Sequence, residues 1–184
     1  MRVISGKARG TKLNSIESLS TRPTLDRVKE SLFNIIQNDI KDANVLDLFA
    51  GSGALGIECL SRGARFSIFC DNNAESIKMI KQNLDKTHLT ENAKVINKSY
   101  ESCLNTLNDK FDLIFLDPPY KLDIAVKALK IILDKNILNN NGLVIIETDE
   151  IERDKQEIEL LKNVRIIDER KYGRANLIFI KEEN

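Results

Sequence analysis

A chain of 184 residues can bury a full hydrophobic core without metal or disulfide staples, and its 28 basic residues are balanced by 28 acidic ones. That balance excludes a uniformly basic nucleic-acid-binding domain. The three cysteines, Cys59, Cys70 and Cys103, lack the CxxC spacing of a zinc site or disulfide framework, and no apolar run approaches membrane-spanning length. With no apolar leader in MRVISGKARG, the expectation is a cytoplasmic, metal-free monomer.

The charge is unevenly placed. Residues 1–30 hold seven basic side chains against three acidic ones, a net +4. Arg2, Lys7, Arg9, Lys12, Arg22 and Arg27 are therefore candidate phosphate contacts, a basic arm on a mildly acidic body. Val3-Ile4 and Thr11–Leu13, flanking Gly6 and Gly10, suggest a short hairpin. Thr24 reads as an N-cap, followed by Leu25, Val28, Leu32, Phe33, Ile35 and Ile36 at helical spacing.

From Asn44 onward strands and helices alternate. Apolar runs at Val45–Phe49, Phe66–Cys70, Lys94–Asn97, Leu113–Leu116 and Leu143–Glu147 are each followed by a helical stretch. Such alternation implies right-handed crossovers and a doubly wound, mostly parallel α/β sheet of Rossmann-like type. Val164–Ile167 and Leu177–Ile180 lie too close together for a helix between them, so they should form an antiparallel hairpin at one edge. The expected organisation is one domain over 1–184, with 1–40 as a hairpin-helix extension and 41–184 as the core.

Asp47-Leu48-Phe49-Ala50-Gly51-Ser52-Gly53-Ala54-Leu55-Gly56 follows the first strand and opens a helix. Gly51, Gly53 and Gly56 satisfy GxGxxG, and Asp71 ends the next strand twenty residues after Gly51. Without Cβ atoms the loop lets a ligand approach the backbone, and Asp71 can accept hydrogen bonds from two ribose hydroxyls. NAD and S-adenosylmethionine both carry an adenosine, so these features suit either. Asp47 favours S-adenosylmethionine, because a carboxylate there repels a pyrophosphate and attracts a cationic ligand. Ala50, Gly51, Ser52, Gly53 and Asn72 complete the candidate cofactor contacts.

Asp117-Pro118-Pro119-Tyr120 ends the fourth strand, where open α/β sheets bind ligands. The two prolines stiffen the turn and remove two N–H donors. An exocyclic amine on a nucleic-acid base is a poor nucleophile, because its lone pair is delocalised into the ring. Acceptors on its N–H bonds, the Asp117 carboxylate and the Pro118 carbonyl, favour a tetrahedral nitrogen aimed at a methyl donor, while Tyr120 stacks on the unstacked base. Without a Pro-Cys pair, covalent methylation of pyrimidine carbon is disfavoured. The single histidine, His88, follows a helix and reads as a helix-end residue. These residues leave the target open between guanine N2, adenine N6 and a protein amide. A non-catalytic RNA-binding assembly factor and an NAD dehydrogenase remain as weaker alternatives.

The chain resembles the RsmD family of bacterial methyltransferases. The resemblance runs through Arg2-Val3-Ile4-Ser5-Gly6 and Arg9-Gly10, then Arg22-Pro23-Thr24, Arg27-Val28, Glu30 and Leu32-Phe33-Asn34. It continues through Asp47 to Gly56, Asp117 to Tyr120, and Lys171-Tyr172-Gly173. It implies methyl transfer from S-adenosylmethionine to the N2 amine of a guanine in small-subunit ribosomal RNA. It also implies Thr24 among the RNA contacts, Ser99 and Tyr100 beside the adenine ring, and free RNA or an assembling ribosomal subunit as partner.

Overall fold

The computed structural model describes residues 1–15, 23–119 and 124–183, with the side chains of 23–26 left aside. Arg22 and Tyr120 thus lie outside the described residues, as does the side chain of Thr24. Among the described residues, seven strands form one sheet: β1 Asn44–Asp47, β2 Phe66–Asp71, β3 Ala93–Asn97, β4 Phe111–Leu116, β5 Leu138–Thr148, β6 Val164–Tyr172 and β7 Ala175–Glu182. Their order is β3-β2-β1-β4-β5-β7-β6. The first five pair in parallel. β7 is antiparallel to both β5 and β6, so the terminal hairpin forms an edge of the sheet as expected.

Among the described residues, six α-helices cover the two faces: α1 Pro23–Ile35, α2 Ala54–Ser61, α3 Ala74–Thr87, α4 Tyr100–Thr106, α5 Ile124–Asp134 and α6 Ile151–Glu159. Successive strand residues point to opposite faces. Val45, Phe69, Leu113, Phe115, Ile145 and Leu177 pack under α1, α2 and α3. Leu46, Ile68, Ile114, Leu116, Ile146 and Ile178 pack under α4, α5 and α6. The strands at the centre of the sheet are therefore apolar nearly throughout, because helices cover both sides.

Three expected boundaries move. Helix α1 begins at Pro23, one residue before the anticipated Thr24 cap, and proline suits a first helical position. Strand β5 begins at Leu138 instead of Leu143: Leu138 pairs with Phe111 and a register shift precedes the Leu113–Leu143 pair. The polar run Asn139-Asn140-Asn141 hides this start in the sequence. Strand β6 continues through Asp168–Lys171 to Tyr172, where charged side chains suit an edge strand that must not pair further.

The N-terminal arm is locked to α2 and α1. Arg2 bridges Lys12 in antiparallel fashion, and the Val3 and Gly10 amides donate to Thr11 and Val3 carbonyls. Glu58 on α2, fully buried, accepts the Ile4 and Ser5 amides at 2.8 and 3.0 Å. It also pairs with Lys29 of α1 at 2.9 Å and Arg62 at 2.8 Å. Burial alone would raise the Glu58 pKa, but the Lys29 charge, the Ile4 amide and Arg62 together hold it below the ordinary carboxylate value. Gly6, at φ +85°, lies so close to α2 that an added Cβ would sit 1.8 Å from the Ser61 carbonyl oxygen. The Lys7 amide donates to that carbonyl, and the Ala8 amide to the Ser61 hydroxyl.

Candidate active site

The site follows from strand register. Asp47 pairs with Phe69 on one side and Phe115 on the other. Asp71 and Asp117 therefore stand one pleat beyond Asp47 on the α1–α3 face, at the carboxyl ends of β2 and β4. Three acidic side chains widely separated in the chain converge because β1 is the switch point, with crossovers leaving in opposite directions.

The glycine loop is shaped from both ends. Gly53, in the left-handed region, caps α2 without a side-chain hydrogen bond. Gly56 packs so tightly on β2 that an added Cβ would lie 2.3 Å from the Phe69 ring, so the third glycine is a helix–strand packing residue. Gly51, at φ +53°, has open space where a Cβ would stand. The Ala50 amide donates to the Cys70 carbonyl. Asn83 of α3 donates from Nδ2 to the Ser52 carbonyl at 2.9 Å, bracing the loop from outside. The same Asn83 binds both the amide and carbonyl of Asn14.

Asp47 is 2 % exposed and accepts the Gly56 amide at 3.1 Å. Burial pushes its carboxyl up to about 7; the Gly56 hydrogen bond opposes this, and the nearby Asp71 charge adds to it. Asp71 uses Oδ2 to accept the Gly51 amide and Oδ1 to accept the Asn73 amide, both at 2.8 Å. It thus ties the glycine loop to the start of α3 while keeping unused lone pairs. Asn72 is exposed beside it, whereas Asn73 caps α3 by accepting the Glu75 amide. Ser99 caps α4 through the Ser102 amide, and Tyr100 packs on Phe49 with ring centroids 5.6 Å apart. Phe49 was not singled out in the sequence; its place in the loop beside Asp71 was the available signal.

Asp117 is half-buried and Pro118 buried, while Pro119 is exposed. Desolvation holds the Asp117 carboxyl well above the usual carboxylate range, and the charges of Glu147 and Asp47 add to this. Glu147, near the end of β5, also escaped the sequence reading. It closes the apolar run Val144-Ile145-Ile146, and the Leu116–Ile146 pair sets it beside Asp117. A small cavity lined by Leu32, Leu55, Ile145 and Leu177 has Asp117 and Glu147 in its wall.

The expected RNA residues separate into two groups. Helix α2 starts at the mouth and ends at Ser61, roughly 12 Å away for its eight residues. Lys7 and Arg9 are exposed at that far end. Arg2 and Lys12 are exposed on the bridge between the two ends. Arg27 is exposed on α1, the helix whose Leu32 reaches the Asp117 cavity and whose Phe33 carbonyl accepts from Arg62. Ser31 hydrogen-bonds the Tyr172 hydroxyl, which ties the tip of the terminal hairpin to α1; Lys171 and Arg174 are exposed at that tip. Lys29, counted in the basic arm, is buried against Glu58 and is not an outward charge.

The donor set suits a cationic, diol-bearing ligand. Among the described residues, the ion pairs involve none of Asp47, Asp71 and Asp117. Among the described residues, the charged side chains a pyrophosphate would meet here, Asp47, Asp71 and Asp117, are carboxylates, whereas a sulfonium and an ammonium would offset them. Also among the described residues, no group of three His, Cys, Asp or Glu is placed to hold a metal ion, and no helix is long and apolar enough to cross a membrane.

The family model described as conserved hypothetical protein 95 matches residues 1–181. Ribosomal RNA small subunit methyltransferase D of Haemophilus influenzae is 40% identical over 152 residues, covering 81% of this chain and 79% of that protein. The chain belongs to the RsmD family of methyltransferases. YlbH of Bacillus subtilis is 42% identical over 168 residues, covering 89% of this chain and 88% of that one. Among solved structures, YhhF of Escherichia coli superposes with a TM-score of 0.86 at 31% identity, covering 100% of this chain and 98% of that chain. The fold is that of the S-adenosylmethionine-dependent methyltransferases: SMU.776, at 18% identity and a TM-score of 0.72, covers 88% of this chain and 50% of that chain, and was crystallised with SAH. In RsmD terms, the arm, glycine loop, Asp117 turn and terminal hairpin form one continuous match.

Proposed function

We propose that this RsmD-family enzyme transfers a methyl group from S-adenosylmethionine to the exocyclic N2 amine of a guanine in small-subunit ribosomal RNA. It would do so in the cytoplasm as a monomer, on free RNA or an assembling subunit. The observation that carries the reading is the placement of Asp117 beside the Asp47–Gly56 loop on one face of the sheet.

The cofactor supplies an electrophilic methyl group on a positively charged sulfur. Asp47 faces its cationic end, and Asp71 accepts its ribose hydroxyls. The backbone of Ala50, Gly51, Ser52 and Gly53 follows the ligand, while Asn72, Ser99 and the Phe49–Tyr100 pair flank the adenosine. Asp117 and the Pro118 carbonyl accept the two N–H bonds of the target amine, which keeps its lone pair directed at the methyl carbon. Tyr120 stacks on the base. Arg2, Lys7, Arg9, Lys12, Arg22, Thr24 and Arg27 take phosphates of the RNA.

Labelled methyl transfer to deproteinised ribosomal RNA and to partly assembled small subunits, followed by nucleoside mapping, tests the reaction. Label in N2-methylguanosine is expected; label confined to adenosine or protein refutes the substrate. Asp117→Ala should lower the single-turnover rate at saturating cofactor by about 10- to 100-fold, the loss of one charge-assisted hydrogen bond. Asp117→Asn should fall between, and a fully active Asp117→Ala enzyme would remove the carboxylate from the mechanism.

A further inference from the structure

The glycine loop and the N-terminal arm meet at one side chain. Asn83 of α3 is fully buried, one turn after Ile80, whose side chain lies 3.3 Å from the place a Cβ of Gly53 would occupy. From the arm side, the backbone of Asn14 grips its amide. Oδ1 accepts the Asn14 amide at 2.7 Å, and Nδ2 donates to the Asn14 carbonyl at 3.0 Å. Two contacts on one edge of a planar amide fix its plane, so the second Nδ2 proton has a set direction. That direction leads to the Ser52 carbonyl, at 2.9 Å. The arm is anchored at this point by Leu13, which is buried in the same core as Ile80 and Leu84.

We propose that Asn83 is a positioning residue for the cofactor, acting through the Ser52 carbonyl, and that the docked arm is what holds Asn83 in place. This concerns cofactor binding and is independent of which amine is methylated. The loop needs such a hold. Gly51 and Gly53 both have positive φ, and Gly53 caps α2 without a side-chain hydrogen bond. Ordering glycine costs more backbone freedom than ordering any other residue. At one end of the loop, the Asp71 carboxylate fixes the Gly51 amide. At the other, the Ser52 carbonyl and the Gly53 amide belong to one rigid peptide plane. The Gly53 amide donates to the Ala50 carbonyl at 2.6 Å, and Asn83 takes the opposite side of that plane. Fixing both sides presets the orientation in which the loop backbone meets a ligand, so less ordering remains to be done on binding. An arm that releases Asn83 frees its amide to rotate and takes this donor from the Ser52 carbonyl. The coupling is reciprocal: if the docked arm tightens cofactor binding, bound cofactor favours the docked arm by the same factor.

The test measures S-adenosylmethionine binding to the full chain by calorimetry, without RNA. Asn83→Ala should weaken binding by about tenfold, the effect of leaving buried polar groups unpaired and the loop unheld. Asn14→Pro removes the amide that Oδ1 accepts and leaves Asn83 intact, and it should weaken binding by a similar factor. The double variant should be no worse than either single one, because both break the same chain of contacts. Asn14→Ala keeps both backbone groups and loses the Gln82 contact, so it should restore most of the affinity that Asn14→Pro loses. In the wild-type protein, cofactor should slow hydrogen exchange at the Asn14 amide, although Asn83 stands between that amide and the loop. In Asn83→Ala it should not. The wild-type exchange measurement carries the test if a variant chain does not fold. Wild-type affinity in Asn83→Ala or Asn14→Pro overturns the inference. So do losses that add in the double variant, the mark of two independent structural defects, and an Asn14 amide whose exchange ignores the cofactor.

Discussion

Replacing Glu58 by Gln tests whether the arm and α1 are held to the core by a buried charge. Gln keeps the shape and one acceptor oxygen but removes the Glu58 charge that Lys29, 3 % exposed, meets at 2.9 Å. Breaking a buried pair by removing one partner costs about 3–5 kcal/mol. For 184 residues, an unfolding entropy of about 2.1 cal/mol/K per residue gives about 0.39 kcal/mol/K, so the melting temperature should fall by about 8–13 °C. Calorimetry and limited proteolysis after Lys7 and Arg9 give the assay. The double variant Lys29→Met/Glu58→Gln should recover much of the loss, since it removes the buried ammonium along with the carboxylate it meets. The pH dependence has a definite sign. Glu58 has a depressed pKa in the folded state, so its contribution is present above about pH 4.5 and lost as pH falls through the folded value. A Glu58→Gln protein that melts within about 2 °C of wild type, or a double variant no better than the single, would refute the reasoning.

The other two expectations concern ligands. Asp47 has its folded pKa raised to about 7 from an ordinary 3.8, so its contribution to stability is fully present below 3.8 and lost as pH rises through 7. Asp47→Asn, which still accepts the Gly56 amide, should stabilise the ligand-free protein by up to about 4 kcal/mol at pH 8 and little at pH 3; it should also weaken S-adenosylmethionine binding and remove its rise with pH, measured by paired melting and calorimetry. For RNA, replacing Arg27, Lys171 and Arg174 by Ala should flatten the salt dependence of binding to a short target fragment by slightly under one unit of slope per lost contact. Lys7→Ala/Arg9→Ala should do so only with long RNA able to reach the rear of α2; an equal effect on the short fragment would show that these two side chains reach the mouth.

Much of this protein is legible in its linear pattern, because local chemistry suffices there. Strand–helix alternation specifies a doubly wound sheet, since a parallel strand pair needs a crossover that a helix supplies. GxGxxG after a strand and Asp117-Pro118-Pro119 after another are contiguous, so their chemistry shows in one dimension. What the pattern hides depends on long-range packing. Glu147 looks like an ordinary strand-end acid until the β4–β5 register sets it beside Asp117. Lys29 looks like part of a basic arm until α1 docks and buries it against Glu58. Lys7 and Arg27 look equivalent by charge, yet the contacts with Ser61 place one at the rear of α2, while the other stands on α1, which sends Leu32 into the Asp117 cavity. Sequence therefore determined the class of fold and the kind of ligand, because both rest on spacings within single segments. Tertiary structure alone decided which charges meet, because a carboxylate's proton affinity and a lysine's partner depend on neighbours that only the folded sheet brings together.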